Sequence, residues 1–300
     1  MTYFIGIEGG GTKFVCAYGS GPNDLQQRTV IRTETPSITL RAVADYIRSV
    51  QTKVNIAAIG ASIFGPLDLD RSSSTYGYIT STPKHDWINF DFVGALKREF
   101  ALPVGLDTDV NAAAISEYRW GAGQHISDLL YLTVGTGIGG GLIVNHQLVH
   151  GAMHPEMGHI YIRQDAADSF AGVCEYHGNC LEGLACGPAI KTRWQVKSAL
   201  DLPEDHPGWE LEASYLGMAL ANFTLTLSPK KIIIGGGVMR QNHLLPRIRR
   251  QLIKHLAGYI QNPTVIKGLE NYIVKPGLEE NAGVLGAIAV AELAYSQEQK

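Results

Sequence analysis

Tyr3-Phe4-Ile5-Gly6-Ile7-Glu8-Gly9-Gly10-Gly11-Thr12-Lys13-Phe14-Val15-Cys16-Ala17-Tyr18 opens the chain with two apolar runs around a glycine turn. Tyr3 to Ile7 and Phe14 to Tyr18 have the composition of strands, and Gly9 to Thr12 is the turn between them. The pattern returns later. Leu129 to Val134 and Leu142 to Val144 are expected strands around Gly135-Thr136-Gly137-Ile138-Gly139-Gly140-Gly141. Two strand–glycine turn–strand units, roughly half a chain apart, make a weak internal repeat of pattern more than of identity.

Helices alternate with these strands. Leu40, Val43, Ala44, Ile47 and Val50 fall on one helical face within Thr39 to Val50. Ile56 to Ser62 suits a buried strand. Val104 to Leu106 reads as a strand feeding Asp107-Thr108-Asp109, with a helix from Val110 to Trp120. Further on come a helix around Ser214 to Leu227, the strand Lys231 to Ile234 and the turn Gly235-Gly236-Gly237. An amphipathic helix carrying Leu244, Leu245, Ile248, Leu252 and Leu256 follows, and an alanine-rich helix spans about Ala282 to Ala294. Pro203 to Pro207 reads as a surface loop. The alternation indicates α/β architecture.

The chain's 300 residues exceed what one core usually needs, so two domains are expected. Hydrophobic residues at 45% and charged residues at 18% supply buried cores. A net charge of −3 without a long basic run argues against nucleic acid or an anionic membrane as partner. No apolar stretch approaches the roughly 20 residues of a membrane helix. Nothing ahead of Tyr3 reads as a signal peptide, so a cytoplasmic location is expected. Thiols stay reduced there, which makes the four cysteines ligands or packing residues.

The three glycine clusters each follow an apolar strand, where an α/β fold places ligands. A triphosphate needs many donors close together, and backbone amides supply them where glycine permits the approach. None of the clusters matches the P-loop pattern. Gly135, Gly137 and Gly140 match the dinucleotide fingerprint by letter, but they join two strands, which excludes a Rossmann unit. The candidate nucleotide-binding residues are Gly10, Gly11, Thr12, Lys13, Gly135, Thr136, Gly137, Gly235, Gly236 and Gly237. Thr12 adds a hydroxyl donor; Lys13 also reads as a plain surface charge. Glu8, at the strand end, is positioned to hold Mg²⁺ through water, or to be a solvated carboxylate.

His159, Cys174, His177 and Cys180 form H-x14-C-x2-H-x2-C. Sulfur and imidazole in two x2 spacings let one turn clasp Zn²⁺ in a closed, structural site. Cys16 and Cys186 have no such company and read as core residues.

Gly6 to Lys13, Asp109-Val110-Asn111, Leu132 to Gly139 and Gly151-Ala152-Met153-His154-Pro155-Glu156-Met157-Gly158-His159 resemble the ROK family of repressors, open reading frames and sugar kinases, with landmarks in order along nearly the whole chain. Leu181-Glu182-Gly183 after the cysteine knuckle extends the resemblance. His154 to His159 looks like the version carried by bacterial fructokinases of the family. Glu8, Asp107 and Thr108 stand where many members have Asp, Glu and Asn.

The resemblance implies an actin-like ATPase (ribonuclease H-like) fold, with two similar α/β domains and a cleft between them. The expected division is 1–116, with the C-terminal helix 282–300 packing back on it, and 117–281 with the zinc knuckle. It implies ATP and Mg²⁺ on the glycine turns, a hexose at the domain boundary, and a homodimer. Asp109 is the candidate catalytic base: at a helix N-terminus its carboxylate is favoured and can accept a sugar hydroxyl proton. The plainer reading is a helix cap, and Asn111 reads as structural. Glu156, His159 and Glu182 are the candidate sugar-binding residues, His159 using one ring nitrogen for zinc and the other for sugar. His154 is a pocket wall or a loop residue. Pro83 to Trp87 is expected to form a loop over the cleft, with Trp87 more a core aromatic than a sugar platform. The implied activity is ATP-dependent phosphorylation of fructose to fructose 6-phosphate. A kinase for glucose, mannose or an N-acetylated hexosamine is the alternative, and a non-catalytic sugar-sensing regulator or scaffold the alternative of another class.

Overall fold

The computed structural model describes residues 2–82, 84–278 and 281–299; Pro83 of the expected loop and Lys300 of the expected C-terminal segment lie outside them. In chain order the elements begin β1 (Tyr3–Gly9), β2 (Lys13–Gly19), β3 (Gln26–Arg32), α1 (Pro36–Gln51), β4 (Ile56–Ile63), β5 (Tyr78–Ile79), β6 (Phe90–Asp91), α2 (Phe92–Glu99), β7 (Val104–Thr108) and α3 (Asp109–Trp120). They continue with β8 (Leu129–Val134), β9 (Ile138–Val144), β10 (Gln147–Leu148), α4 (Leu181–Ala185), α5 (Gly187–Trp194) and α6 (Gly208–Leu227). The last are β11 (Lys231–Gly235), α7 (Leu244–Leu256), α8 (Pro263–Ile266), α9 (Leu269–Tyr272), β12 (Ile273–Val274) and α10 (Ala282–Glu298).

These elements form two compact units, Met1–Gln124 with Leu148–His154 and Gly277–Lys300, and His125–Gln147 with Pro155–Pro276. The first unit thus runs past the expected boundary at 116. The reason is that α3 continues to Trp120, and its Glu117, fully buried, accepts the amides of Ala122, Gly277 and Leu278 at 2.7, 2.9 and 2.9 Å.

In the first unit the sheet order is β3-β2-β1-β4-β7. β1, β2 and β3 are antiparallel neighbours, while β1, β4 and β7 run parallel. Alternation along the strands assigns the two faces. Ile5, Ile7, Ile59, Ile63 and Leu106 join α1 and α2 residues such as Val43, Ile47, Phe92 and Leu96 in one core. The opposite face carries Phe4 and Ala58 against α10 but is bare along its middle row. Gly6 pairs with Gly60, and Gly60 with Gly105, so three glycines line up across β1, β4 and β7. A Cβ on Gly60 would stand 1.9 Å from the Ala287 carbonyl oxygen, and one on Gly105 2.6 Å from that of Val290. α10 therefore lies directly on sheet backbone there, with Ala287 and Ala291 over Gly60 and Ala294 over Gly105.

In the second unit the order is β10-β9-β8-β11-β12, with β8 antiparallel to β9 and parallel to β11, and β11 parallel to β12. The order and directions of the first sheet are thus repeated. β9 begins at Ile138, so Gly139, Gly140 and Gly141 are paired strand residues and the turn is only Gly135 to Gly137, shorter than expected. Gly140 is small because Met157 packs on it: a Cβ there would meet the sulfur at 2.5 Å. β3 escaped the sequence reading because Gln26 to Arg32 is a polar edge strand with no apolar alternation. No helix among the described residues is long and apolar enough to cross a membrane.

Candidate active site

The carboxyl ends of β1 and β7 carry the acids of the first unit. Thr108 ends β7, and its Oγ1 accepts the Asn111 amide at 3.2 Å, so Thr108 is the N-cap of α3. Asp109 is consequently free of the capping role. Its Oδ1 accepts the amide of Val110 at 2.9 Å. The residue is exposed, yet the protein packed around the carboxyl pushes it up to about 6, against the pull of the Val110 amide and its own. Glu8 lies near enough to feel this charge. Burial first, then repulsion from Asp109, raises its pKa, while Lys13 and Arg28 lower it. The Glu8 carboxyl occupies the place a side chain at Gly283 would need, 2.3 Å from that Cβ, over the first turn of α10, where the helix dipole favours an anion.

The Gly9 to Thr12 turn is closed by the Gly10 amide donating to the Lys13 carbonyl at 2.8 Å. Thr33 ties it down, donating from Oγ1 to the Gly10 carbonyl at 2.7 Å. Trp87 is in the core, 1% exposed and stacked on Phe14, so it is no sugar platform. Cys16 and Cys186 are also core, and burial pushes both thiols up to about 12.

In the second unit two glycine tips lie side by side. Gly236 has φ +98°, and a Cβ there would sit 2.3 Å from the Val134 carbonyl oxygen, so only glycine lets the turn after β11 press against the end of β8. Gly135 approaches Gly237, and its carbonyl accepts the Gly187 amide, 2.7 Å away, at the start of α5. Among the described residues the amides of Thr136, Gly137 and Gly237 have no backbone partner. Gly235 is different. It is a buried strand residue whose lack of Cβ makes room for Pro276.

The three expected sugar-binding residues gather at the start of β9. Glu182 Oε2 accepts the Ile138 amide at 2.8 Å. Gly158 lies against the Ile138 carbonyl, where a Cβ would be at 1.9 Å. The Met157–His159 turn between them is closed by the His159 amide on the Glu156 carbonyl, 3.1 Å apart.

His159, Cys174, His177 and Cys180 offer ligand atoms that all lie within 4.8 Å of one another. Cys174 Sγ is 3.7 Å from the Nδ1 atoms of both His159 and His177, and Cys180 Sγ is 3.7 Å from His159 Nδ1. Tetrahedral bonds of about 2.0–2.3 Å to Zn²⁺ impose ligand separations of roughly 3.4–3.8 Å, so the set fits the ion. Gly178, at φ +64°, lets the Cys174–His177 turn reverse. Cys180 Sγ also accepts the Gly183 amide, 3.4 Å away, capping α4.

The sequence profile of the ROK family matches residues 4–293. The chain belongs to the ROK family. Its fold is accordingly the actin-like, ribonuclease H-like one, which the doubled sheet order displays. A fructokinase of Pediococcus pentosaceus is 41% identical over 288 residues, spanning 96% of this chain and 97% of that one. A glucokinase of Halalkalibacterium halodurans is 28% identical, spanning 95% and 93%. The crystal structure of a ROK hexokinase from Thermus thermophilus superposes with a TM-score of 0.77 at 27% identity, covering 98% and 99% of the two chains.

Some residues of this ROK site carried no local signal. His150 hydrogen-bonds the buried Asp107 at 2.9 Å across 43 positions, and Asn111 joins them through Nδ2 at 2.7 Å from Asp107 Oδ1. His154 is a buried loop residue whose Nε2 accepts the Leu67 amide at 3.1 Å. Gly187 differs from the three clusters in standing alone in the sequence. A helix beginning after Cys186 at Gly187-Pro188 was the available clue, since proline favours the first turn.

Proposed function

We propose that this chain phosphorylates fructose at the expense of ATP, giving fructose 6-phosphate and ADP. The observation that carries the reading is the division of labour at the end of β7. Thr108 caps the helix, which leaves the Asp109 carboxylate, poised near neutrality, for a substrate hydroxyl. The greater identity to the fructokinase than to the glucokinase supports fructose over glucose.

In this reading Asp109 takes the proton of the fructose 6-hydroxyl, and the oxygen attacks the γ-phosphorus while ADP leaves. Phosphoryl transfer asks mainly for positioning and charge neutralisation. The free amides of Thr136, Gly137 and Gly237 offer donors to phosphate oxygens in the second unit, and Gly11, Thr12 and Lys13 do so in the first, where the Gly10 amide instead closes the turn. Gly236 serves by its turn, and Gly235 by packing. Glu8 would hold Mg²⁺, and the ion would neutralise phosphate charge. Glu156, His159 and Glu182 bind the sugar hydroxyls. His159 presents Nδ1 to the cysteines, which leaves Nε2 for the sugar. Zn²⁺ on His159, Cys174, His177 and Cys180 would be structural, fixing that ring. Family membership supports a cytoplasmic homodimer.

Steady-state kinetics with fructose, mannose, glucose and N-acetylmannosamine, each with ATP and Mg²⁺, test the reading. The highest kcat/KM is expected for fructose; a preference for any other sugar reassigns the substrate, and turnover of none rejects the kinase.

A further inference from the structure

We propose that His150 is a positioning residue for the base: with Asn111 it locks the Asp107 carboxylate, which holds the first turn of α3 on which Asp109 rides. This rests on the kinase reading above. Asp107 is 6% exposed, and a carboxylate so buried is costly unless both oxygens are bonded. Its own neighbourhood satisfies only one of them. Oδ1 accepts the Thr108 amide at 2.8 Å and Asn111 Nδ2 at 2.7 Å. Oδ2 faces His150 Nε2 at 2.9 Å, a partner brought from far along the chain. The hydrogen bond to Asp107 raises the His150 pKa, burial opposing it, so the ring favours the protonated, donating form.

Asn111 is thereby gripped twice, its amide nitrogen on Thr108 Oγ1 and its side chain on Asp107. Residues 108–111 are the turn that aims Asp109. Loss of the His150 bond leaves a buried carboxylate oxygen unpaired, and the turn must shift to find it water. The fold does not hang on this ring. His150 is 37% exposed, and the segment it belongs to is anchored separately by the buried His154 on the Leu67 amide.

Five proteins decide the matter: wild type, His150→Ala, His150→Gln, Asp109→Ala and the double variant His150→Ala/Asp109→Ala, each assayed for kcat, both KM values and thermal midpoint. His150→Ala is expected to lower kcat about tenfold, short of the roughly 10² that a 1 Å misplacement costs. KM for ATP should stay near wild type, and the thermal midpoint should fall by no more than about 10 °C, the range set by one unpaired buried group. His150→Gln, whose amide can donate to Asp107, should recover most of the rate. The double variant should be no slower than Asp109→Ala alone, because a residue acting through the base is silent once the base is gone. Wild-type turnover in His150→Ala, or a further loss of the same factor in the double variant, overturns the role of His150 and leaves the kinase standing. A wild type that phosphorylates no hexose overturns both.

Discussion

In the first unit the antiparallel pair β1–β2 ends beside two carboxylates, Glu8 and Asp109; in the second the equivalent pair β8–β9 ends among Gly135, Gly187, Gly236 and Gly237. The sheets have one order and one set of directions. Their tips therefore differ by residue choice alone, since topology fixes where a strand ends and not what stands there. Carboxylates suit a proton acceptor or a metal, whereas bare amides suit phosphate oxygens, which is the contrast on which the proposed residue roles rest. The faces differ as well. A glycine row receives α10 in the first unit, while the connection from β10 to β11 in the second holds the metal-ligand cluster, α4, α5 and α6.

The sharpest way to break this contrast is Asp109→Ala. It should leave a folded, zinc-loaded protein with kcat down by ~10² or more, the usual worth of a positioned base; near-normal turnover would show that the first unit's acid tip is not the reacting one. Chelation comes next. A strong chelator should release about one Zn²⁺ per chain, lower the thermal midpoint and raise KM for fructose more than KM for ATP. Metal analysis that finds no zinc at neutral pH removes the cluster from the comparison.

Two glycine substitutions separate packing from binding. Gly60→Ala forces a methyl into the Ala287 backbone and should cost about 1–3 kcal/mol by urea unfolding. Gly237→Ala, at φ −61° with nothing within 4 Å, should change stability by less than about 0.5 kcal/mol and raise KM for ATP. Equal stability losses would erase the distinction between the two sites.

The smallest effect concerns pH. Because the folded-state pKa of Asp109 is raised to about 6, its base form is lost as pH falls through that value, and kcat/KM for fructose should show an acid limb there. The stability sign is opposite. A raised carboxyl penalises the folded state above pH 6, so Asp109→Asn should melt no lower than wild type at pH 8, the difference shrinking as pH falls towards 4. A variant that melts lower at pH 8 would show the carboxylate to be stabilising instead.

Particular residues show how far reading along the chain could go. The Tyr3 to Tyr18 and Leu129 to Val144 hairpins and the Cys174–Cys180 spacing are local patterns that stand where they were expected, while Asp109, expected just ahead of its helix, is the first residue within it. Gly139 to Gly141 misled because a glycine run signals a turn, whereas these residues are paired strand, Gly140 kept small by Met157. Glu182 was legible as a polar residue after the knuckle, but not its hold on the Ile138 amide.

What the sequence determined by itself was the strand–turn chemistry, the metal spacing and the family, because these are written in neighbours a few residues apart. Tertiary structure alone decided the rest: that Gly6, Gly60 and Gly105 share a register and accept α10, that Thr108 caps while Asp109 does not, and that His150 reaches Asp107. These pairings join residues tens to hundreds of positions apart. Their partners are chosen by strand register and packing, and neither leaves a periodic trace in the chain.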